Sequence, residues 1–283
     1  MRAASILLLV LPVAGGCKAS AVPRTFANNV SAAPAEAMPV GRSSVIPGER
    51  FSYRISMLGF DAGVIDIAAG QPGDVDGKKV VFLRSRAQSR GVVAFLKTVT
   101  DDVTTWLDVD TGQPLYHHTV SKVGNSDEEV EIRYAPGQFD VRERIDDKET
   151  VETQVIPGGG SAYDLMSSLM AIRGWTARPG DRSTLHVLRS TLFWRTHVEY
   201  GGPTSVKIAI GRFPAVQVNG MSRRIRRSGA FEDGKEARHF SVWLSDDARR
   251  VPLLIAAKTD LGDVRMELVE YQSPDGTLIA AGE

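Results

Sequence analysis

The sequence predicts an all-β protein with one central helix. Three observations carry this. Short segments alternate apolar and polar residues, turn signals separate nearly all of them, and a single long stretch keeps a helical period. Alternation with a period of two puts apolar side chains on one face of a pleated sheet. Hairpin-sized gaps make neighbouring strands antiparallel. About sixteen candidate strands are more than one flat sheet usually holds. The expected architecture is a strongly curved antiparallel sheet, a half-barrel or two barrel-like lobes, with the helix packed on it.

The elements follow in order. Phe51-Ser52-Tyr53-Arg54-Ile55-Ser56-Met57 alternates, and a turn over Gly59 to Gly63 leads to a second strand at 64–68. A third covers 79–85, and a helix of one or two turns fits 92–99. Strands follow at 102–109, 115–123, 129–134, 139–145 and 149–155. The turn sequences DVDG, DTGQP, VGNSD, APGQ and IDDKE separate the early strands. Pro157-Gly158-Gly159-Gly160 then breaks the series. Ser161 is a candidate N-cap with Asp164 three residues on and Gly174 as a stop, so a helix is expected over 161–174. Leu165, Met166, Leu169, Met170 and Ile172 fall largely on one of its faces. Strands resume at 184–188, 192–200, 205–210, 213–221, 223–228, 239–244, 251–259 and 262–271. Trp106, Trp194 and Trp243 fall in strands, where large rings normally fill a core.

The front of the chain reads MRAASILLLVLPVAGGC. Arg2 is a positive start, Ser5 to Val13 is apolar, and Ala14, Gly15 and Gly16 are small. This is the layout of a secretory signal peptide. Its apolar run is far shorter than the ~20 residues that span a bilayer as a helix. Leu11 to Cys17 resembles the bacterial lipobox, with Ala14 where leucine is commoner. The small residues suit a cleavage pocket, and the Cys17 thiol can carry a diacylglyceryl group. Cys17 is also the one cysteine in 283 residues. No internal disulfide can form, and acylation removes a free thiol that would otherwise invite pairing. A lone cysteine also excludes a Cys-based zinc site or iron–sulfur cluster. In enteric-type bacteria an aspartate after the cysteine favours inner-membrane retention. Lys18 instead resembles the default outer-membrane signal.

Residues 18–47 are rich in alanine, serine and proline and keep no apolar period, as expected of a disordered tether. Such a segment reaches roughly 30 Å, at about 5–6 Å times the square root of its length. The expected organisation is a signal peptide over 1–16, lipidated Cys17 and tether over 17–47, a β-rich domain over 48–273, and a short tail over 274–283. The formal net charge of +0 offers nothing to nucleic acid.

Four segments, in order, resemble a family of exported bacterial proteins. The first is Gly48-Glu49-Arg50-Phe51-Ser52-Tyr53-Arg54-Ile55 running into Leu58-Gly59-Phe60-Asp61-Ala62-Gly63. The second is Asp102-Val103-Thr104-Thr105-Trp106-Leu107-Asp108 with Gly112-Gln113-Pro114-Leu115. The third is Tyr163-Asp164-Leu165-Met166-Ser167-Ser168-Leu169 with Ile172-Arg173. The last is Val242-Trp243-Leu244-Ser245-Asp246-Asp247, continuing through Arg249-Arg250-Val251-Pro252 to Lys258 and Gly262. Together they are similar to domain-of-unknown-function family 3108, over about residues 48–271. Trp175 stands where that family usually has a tyrosine near the arginine. The resemblance implies a β-rich envelope protein and carries over no catalytic residues.

Chemistry is sparse. His117, His118, His186, His197 and His239 show no HExxH-type ligand spacing. His117 and His118 are adjacent on a strand, so they point to opposite faces and do not share a metal. No metal or cofactor is expected. Gly158-Gly159-Gly160-Ser161 lacks the Lys-Ser/Thr of a P-loop. The pairs Asp101-Asp102, Asp146-Asp147 and Asp246-Asp247 are explained by strand geometry or by turn chemistry. The sharpest charge feature is Arg223-Arg224-Ile225-Arg226-Arg227. Arg224 and Arg226 share one strand face, and Arg223 and Arg227 the other. Guanidinium forks suit phosphate and carboxylate, and the blander account is an edge strand whose charge deters aggregation. Val92 to Leu96 fits either a core segment or the lip of an apolar cavity.

Two functions fit. One is a membrane-anchored, non-catalytic envelope module that binds a lipid, a glycan or a protein partner within a curved sheet. The other is a hydrolase of envelope polymers, which needs His197 or His239 to meet a carboxylate and a nucleophile.

Overall fold

The computed structural model describes residues 36–39, 41–189, 191–259 and 262–280. Cys17 and the expected signal peptide lie outside this range. The strands are β1 (Arg50–Met57), β2 (Phe60–Ala69), β3 (Gly73–Val75), β4 (Lys78–Ser89), β5 (Val99–Asp108), β6 (Pro114–Val123), β7 (Ser126–Ala135), β8 (Gln138–Ile145), β9 (Lys148–Val155), β10 (Ala162–Tyr163), β11 (Arg182–Arg189), β12 (Leu192–Ile208), β13 (Gly211–Ile225), β14 (Arg238–Ser245), β15 (Pro252–Thr259), β16 (Gly262–Gln272) and β17 (Leu278–Ala280). Two helices interrupt them, α1 (Gly91–Leu96) and α2 (Leu165–Gly174).

All strands belong to one sheet. From one edge the order is β9, β8, β7, β6, β5, β4, β2, β1, β16, β15, β14, β13, β12, β11, β10. The short β3 and β17 flank β4 and β16. Every pairing is antiparallel except β10 with β11. Among the described residues no ladder joins β9 to β10 or β11, so the sheet curls without closing into a barrel. The curved-sheet expectation holds.

Register partners share a face, so the inner surface can be followed from strand to strand. Val218, Val242, Ile255, Met266 and Ile55 are successive partners across β13, β14, β15, β16 and β1. This row belongs to the main core. Helix α2 lies inside the curl and fills it with Leu169, Met170 and Ile172, each buried. The apolar cavity expected inside the sheet is thus occupied by the chain's own helix. A second core cluster brings Val130, Ile132, Phe139 and Val141 of β7–β8 against Leu188, Phe193 and Ile225 of β11–β13. Phe139 and Phe193 meet with ring centroids 5.8 Å apart. Apolar contact, rather than a strand ladder, draws the two ends of the sheet together.

Several boundaries differ from expectation. The N-cap of α2 is Asp164, not Ser161. Its Oδ1 accepts from the Met166 and Ser167 amides at 2.8 and 3.2 Å, because Ala162–Tyr163 pairs as a strand before the helix begins. The strands expected at 192–200 and 205–210 are one, β12, with a register shift between Tyr200 and Gly202. The glycines there mark a bulge rather than a turn. Residues 213–221 and 223–228 likewise merge into β13. Inside the expected tether, Met38 and Val45 are core residues, and the Met38 amide bonds to the Thr184 carbonyl. The expected C-terminal tail contributes β17. Of the three tryptophans placed in strands, Trp243 is buried, while Trp106 is half-buried between Phe82 and Tyr116.

Candidate functional site

Two polar groups interrupt the apolar interior. The first fixes α2. Arg173, near its C-terminus, reaches back to Glu49 just before β1. Arg173 Nη1 and Nη2 donate to Glu49 Oε1 and Oε2 at 2.5 and 2.9 Å. Both side chains are almost wholly buried, at 1 % and 0 % exposed. Arg173 also donates from Nε and Nη2 to the Arg249 carbonyl at 3.0 and 2.8 Å. Arg250 Nε returns a bond to the Arg173 carbonyl at 2.9 Å. Asp247 Oδ1 holds that turn through the Arg249 and Arg250 amides. The Phe51 ring lies under the guanidinium at 5.6 Å. Next to this group Tyr53 donates to the Pro252 carbonyl at 2.9 Å, and burial raises its phenol far above the usual range. Trp175, after the helix, is buried edge-on against Tyr200 with centroids 5.8 Å apart.

The second group lies on the inner face of β5 to β7. The partner row that is apolar elsewhere here runs Ile65, Ala87, Asp101, Ser121, Glu128. Asp101 Oδ1 accepts from Ser121 Oγ at 2.6 Å. Burial raises the Asp101 carboxyl above its ordinary value, against the Ser121 bond and the Arg189 charge. Burial likewise lowers Arg189, opposed by Asp101 and Glu128. Arg238 is a further charge in this group, set over the Trp194 ring at 4.7 Å.

Further along the sheet, against the N-terminus of α2, stands His117. Its Nδ1 lies 3.1 Å from Thr105 Oγ1 and its Nε2 lies 2.8 Å from Thr119 Oγ1. Thr105 Oγ1 donates to Asp164 Oδ1 at 3.2 Å, and Ser167 Oγ donates to Asp164 Oδ2 at 2.7 Å. Burial lowers the His117 pKa, with the Asp164 and Asp101 charges opposing. Both ring nitrogens are engaged by hydroxyls, and Ser167 gives its proton to a carboxylate. This set positions the helix end, with His117 Nδ1 also 3.6 Å from Asp164 Oδ1.

The other candidate residues are dispersed. His197 Nδ1 meets Thr184 Oγ1 at 3.1 Å on the face opposite the polar row. His239 shares that face across Met221. His186 stacks on Phe193. Neither His197 nor His239 has a side-chain hydrogen bond to a carboxylate among the described residues. His118 projects opposite to His117, as expected, with Nε2 2.8 Å from Glu129 Oε1. His118, Glu129 and Glu131 have ligand atoms within 4.8 Å of one another. Arg144 already occupies Glu129, and Tyr116 donates to Glu131 at 3.1 Å.

The four arginines end up around the 225–233 turn, and three of them have acidic partners within the chain. Arg224 pairs with Glu232 at 2.6 Å and Arg226 with Asp233 at 2.7 Å. Arg227 pairs with Glu152. Arg223 lies 4.0 Å over the Phe231 ring. Cys17 lies outside the described residues. A cleft of about 230 Å³ separates Gly41–Ser44 from α2, smaller than the ~300 Å³ at which ligand pockets begin.

Sequence reasoning did not single out Glu49, Asp101, Asp164, Arg173 or Arg189 as a set. Glu49 and Arg173 stand 124 residues apart, and nothing local pairs them. The signal was indirect: the segments beginning Gly48-Glu49, ending Ile172-Arg173 and containing Arg249-Arg250 meet at one buried ion pair.

A solved structure shares this architecture. A β-barrel-like protein of domain of unknown function DUF1849 from Brucella abortus aligns with a TM-score of 0.55 and 13% identity, over 81% of this chain and 98% of that one. A protein with a YmcC-like fold from Bacteroides fragilis aligns at a TM-score of 0.36 and 8% identity, over 81% and 97%. None of the curated proteins matches the chain. The model of the family "Protein of unknown function (DUF3108)" matches residues 52–269, and the chain belongs to that family.

Proposed function

We propose that the chain is an envelope lipoprotein, cleaved before Cys17 and acylated there, whose curved sheet is a non-catalytic binding module. Its partner is an envelope lipid, a glycan or an envelope protein. The absence of aspartate at Lys18 favours the outer membrane, with the domain facing the periplasm. The observation that carries the binding role is the polar row Asp101, Ser121 and Glu128 with Arg189 on the inner face. Taking charges out of water costs several kcal/mol per ion unless partners compensate. Groups so perturbed gather at functional sites more often than elsewhere. A polar ligand group entering here would face both a guanidinium and carboxyl groups.

The test is purification of the acylated protein from its own membranes, with native mass spectrometry of what accompanies it. A co-purifying lipid, glycan or protein that Arg189→Ala reduces at least tenfold supports the reading. Recovery of an empty monomer from membranes and from solution alike would overturn it.

A further inference from the structure

One end of the sheet presents apolar side chains to solvent. Leu58, Phe60 and Phe95 are 60, 64 and 90 % exposed. Leu58 and Phe60 flank Gly59 in the β1–β2 hairpin, and Phe95 lies on α1. The topology gathers them. The end of β4 pairs with β2 at Ser89 and Gly63, so α1 starts beside the hairpin. The Arg90 amide bonds to the Ala62 carbonyl at 2.9 Å. Gly91 is so close to β2 that a Cβ there would stand 2.7 Å from the Asp61 carbonyl oxygen. Val93 packs on the cluster of Met57, Ala62 and Val264. The helix is therefore pinned by its inner side while Phe95 points outward.

The hairpin repeats the pattern. Leu58 has φ 51° and Gly59 φ 86°. A non-glycine residue is uncommon at positive φ, where asparagine or aspartate is the usual choice. Here the strained position carries a large apolar side chain, over half exposed.

We propose that this end is a membrane-docking rim, in which Leu58, Phe60 and Phe95 enter the boundary between headgroups and acyl chains of a phospholipid bilayer. Two observations select a bilayer over a protein. Phenylalanine side chains offer about 150–250 Å² each, so at their fractional exposures Phe60, Phe95 and Leu58 together present roughly 400 Å². A stable protein interface needs about 800 Å² per partner, whereas a bilayer accepts isolated protruding side chains. The exposed cations Arg90 and Lys97 bracket α1, and neither makes an ion pair among the described residues, so both are free for lipid phosphates. Asp61 and Asp263 share this end, so the apolar side chains supply most of the attraction and the cations set its orientation. The rim does not depend on acylation of Cys17.

The experiment uses the mature chain carrying Cys17→Ser, so that no acyl chain contributes. Binding is read by co-sedimentation with vesicles of phosphatidylethanolamine and anionic phosphatidylglycerol, mixed at about 3:1. The parent should partition onto the vesicles, and Phe60→Ser/Phe95→Ser should lower the partition coefficient at least tenfold with an unchanged circular dichroism spectrum. A Phe95→Trp chain should show added emission that shifts to the blue on vesicles and is quenched by brominated acyl chains. Equal binding by parent and double variant, no binding by the parent, or added emission from the Phe95→Trp chain that is indifferent to vesicles would each overturn the rim. Membrane retention of the native acylated protein is a separate measurement, so failure of the rim leaves the Cys17 reading standing.

Discussion

Replacing Arg173 with methionine should destabilise the domain by about 3–5 kcal/mol, the cost of leaving a buried charge without its partner. The structure supplies the reason. Glu49 is fully buried and loses two charge-assisted bonds of 2.5 and 2.9 Å. It keeps the Ile46 amide at 3.1 Å and a long bond from the Tyr271 hydroxyl at 3.5 Å, too little to hold a carboxylate in that setting. The Arg249 carbonyl loses both of its donors as well. A domain of this size shifts by about 2–4 °C per kcal/mol, so the melting temperature should fall by roughly 6–20 °C. The companion variant is Glu49→Leu/Arg173→Met, which removes both charges. Exchanging a buried pair for apolar residues of similar volume is often close to neutral. Here the stranded Arg249 carbonyl and Ile46 amide should leave a deficit of about 1–2 kcal/mol. The double variant should therefore be more stable than Arg173→Met by about 2 kcal/mol or more. Urea unfolding followed by circular dichroism measures all three chains. A single variant costing under about 1 kcal/mol, or a double variant no better than the single, would refute the view that a buried ion pair fixes α2.

Asp164→Ala should cost about 2–3 kcal/mol, because it removes the helix cap and the carboxylate that accepts from the Thr105 and Ser167 hydroxyls; urea midpoints would show it, and a loss within experimental error would count against the cap. Gly220→Ala should cost about 1–3 kcal/mol, since a Cβ there would stand 2.0 Å from the Phe240 ring; Gly220→Ala/Phe240→Ala should recover part of the loss if that contact is the cause. Stability should fall between pH 7 and pH 5. Burial pushes His186 down to about 4 and lowers His117 and His197. Each folded value lies below the unfolded one, so the unfolded chain binds more protons below about 6.5, and stability present above that pH is lost as pH falls toward the folded values. After allowance for its partial exposure, His186 contributes about 1–2 kcal/mol of this change. Asp101 is raised, so it acts in the opposite sense, losing stability as pH rises through its folded value. A flat urea midpoint across that range, or a slope unaltered by His186→Phe, would sink the assignment. Cys17→Ser should abolish lipid labelling and release the protein from membranes; unchanged labelling and retention would remove the anchor.

Much of the fold is legible because strand periodicity is local. Alternation in Phe51 to Met57 and the glycine-marked turns place β1 and its neighbours to within a few residues. The differences arise where the physical cause is not local. Gly201-Gly202-Pro203 has the composition of a turn, yet β12 continues through it, because β13 supplies partners on both sides of the bulge. Ser161 has the chemistry of a cap, but pairing of Ala162 and Tyr163 with β11 delays the helix to Asp164. Val92 to Leu96 reads as core or lip by composition; only the β2 contact shows Val93 turned inward and Phe95 outward. The arginine run reads either as an anion patch or as a charged edge strand, and its partners Glu152, Glu232 and Asp233 lie outside the run.

What the sequence by itself determined is the class of the protein. Its alternation, its turns and the single helical stretch specify a curved antiparallel sheet, and its leader and lone Cys17 specify an expected address. These are properties of short windows, set by side-chain period and by backbone preference at glycine, proline and aspartate. The tertiary structure decided which polar residues meet. Register carries Asp101, Ser121 and Glu128 onto one face, and curvature buries Glu49 against Arg173. Neither follows from any short window of the chain, because the first depends on the register across three successive strands and the second joins the residue before β1 to helix α2, 124 residues away.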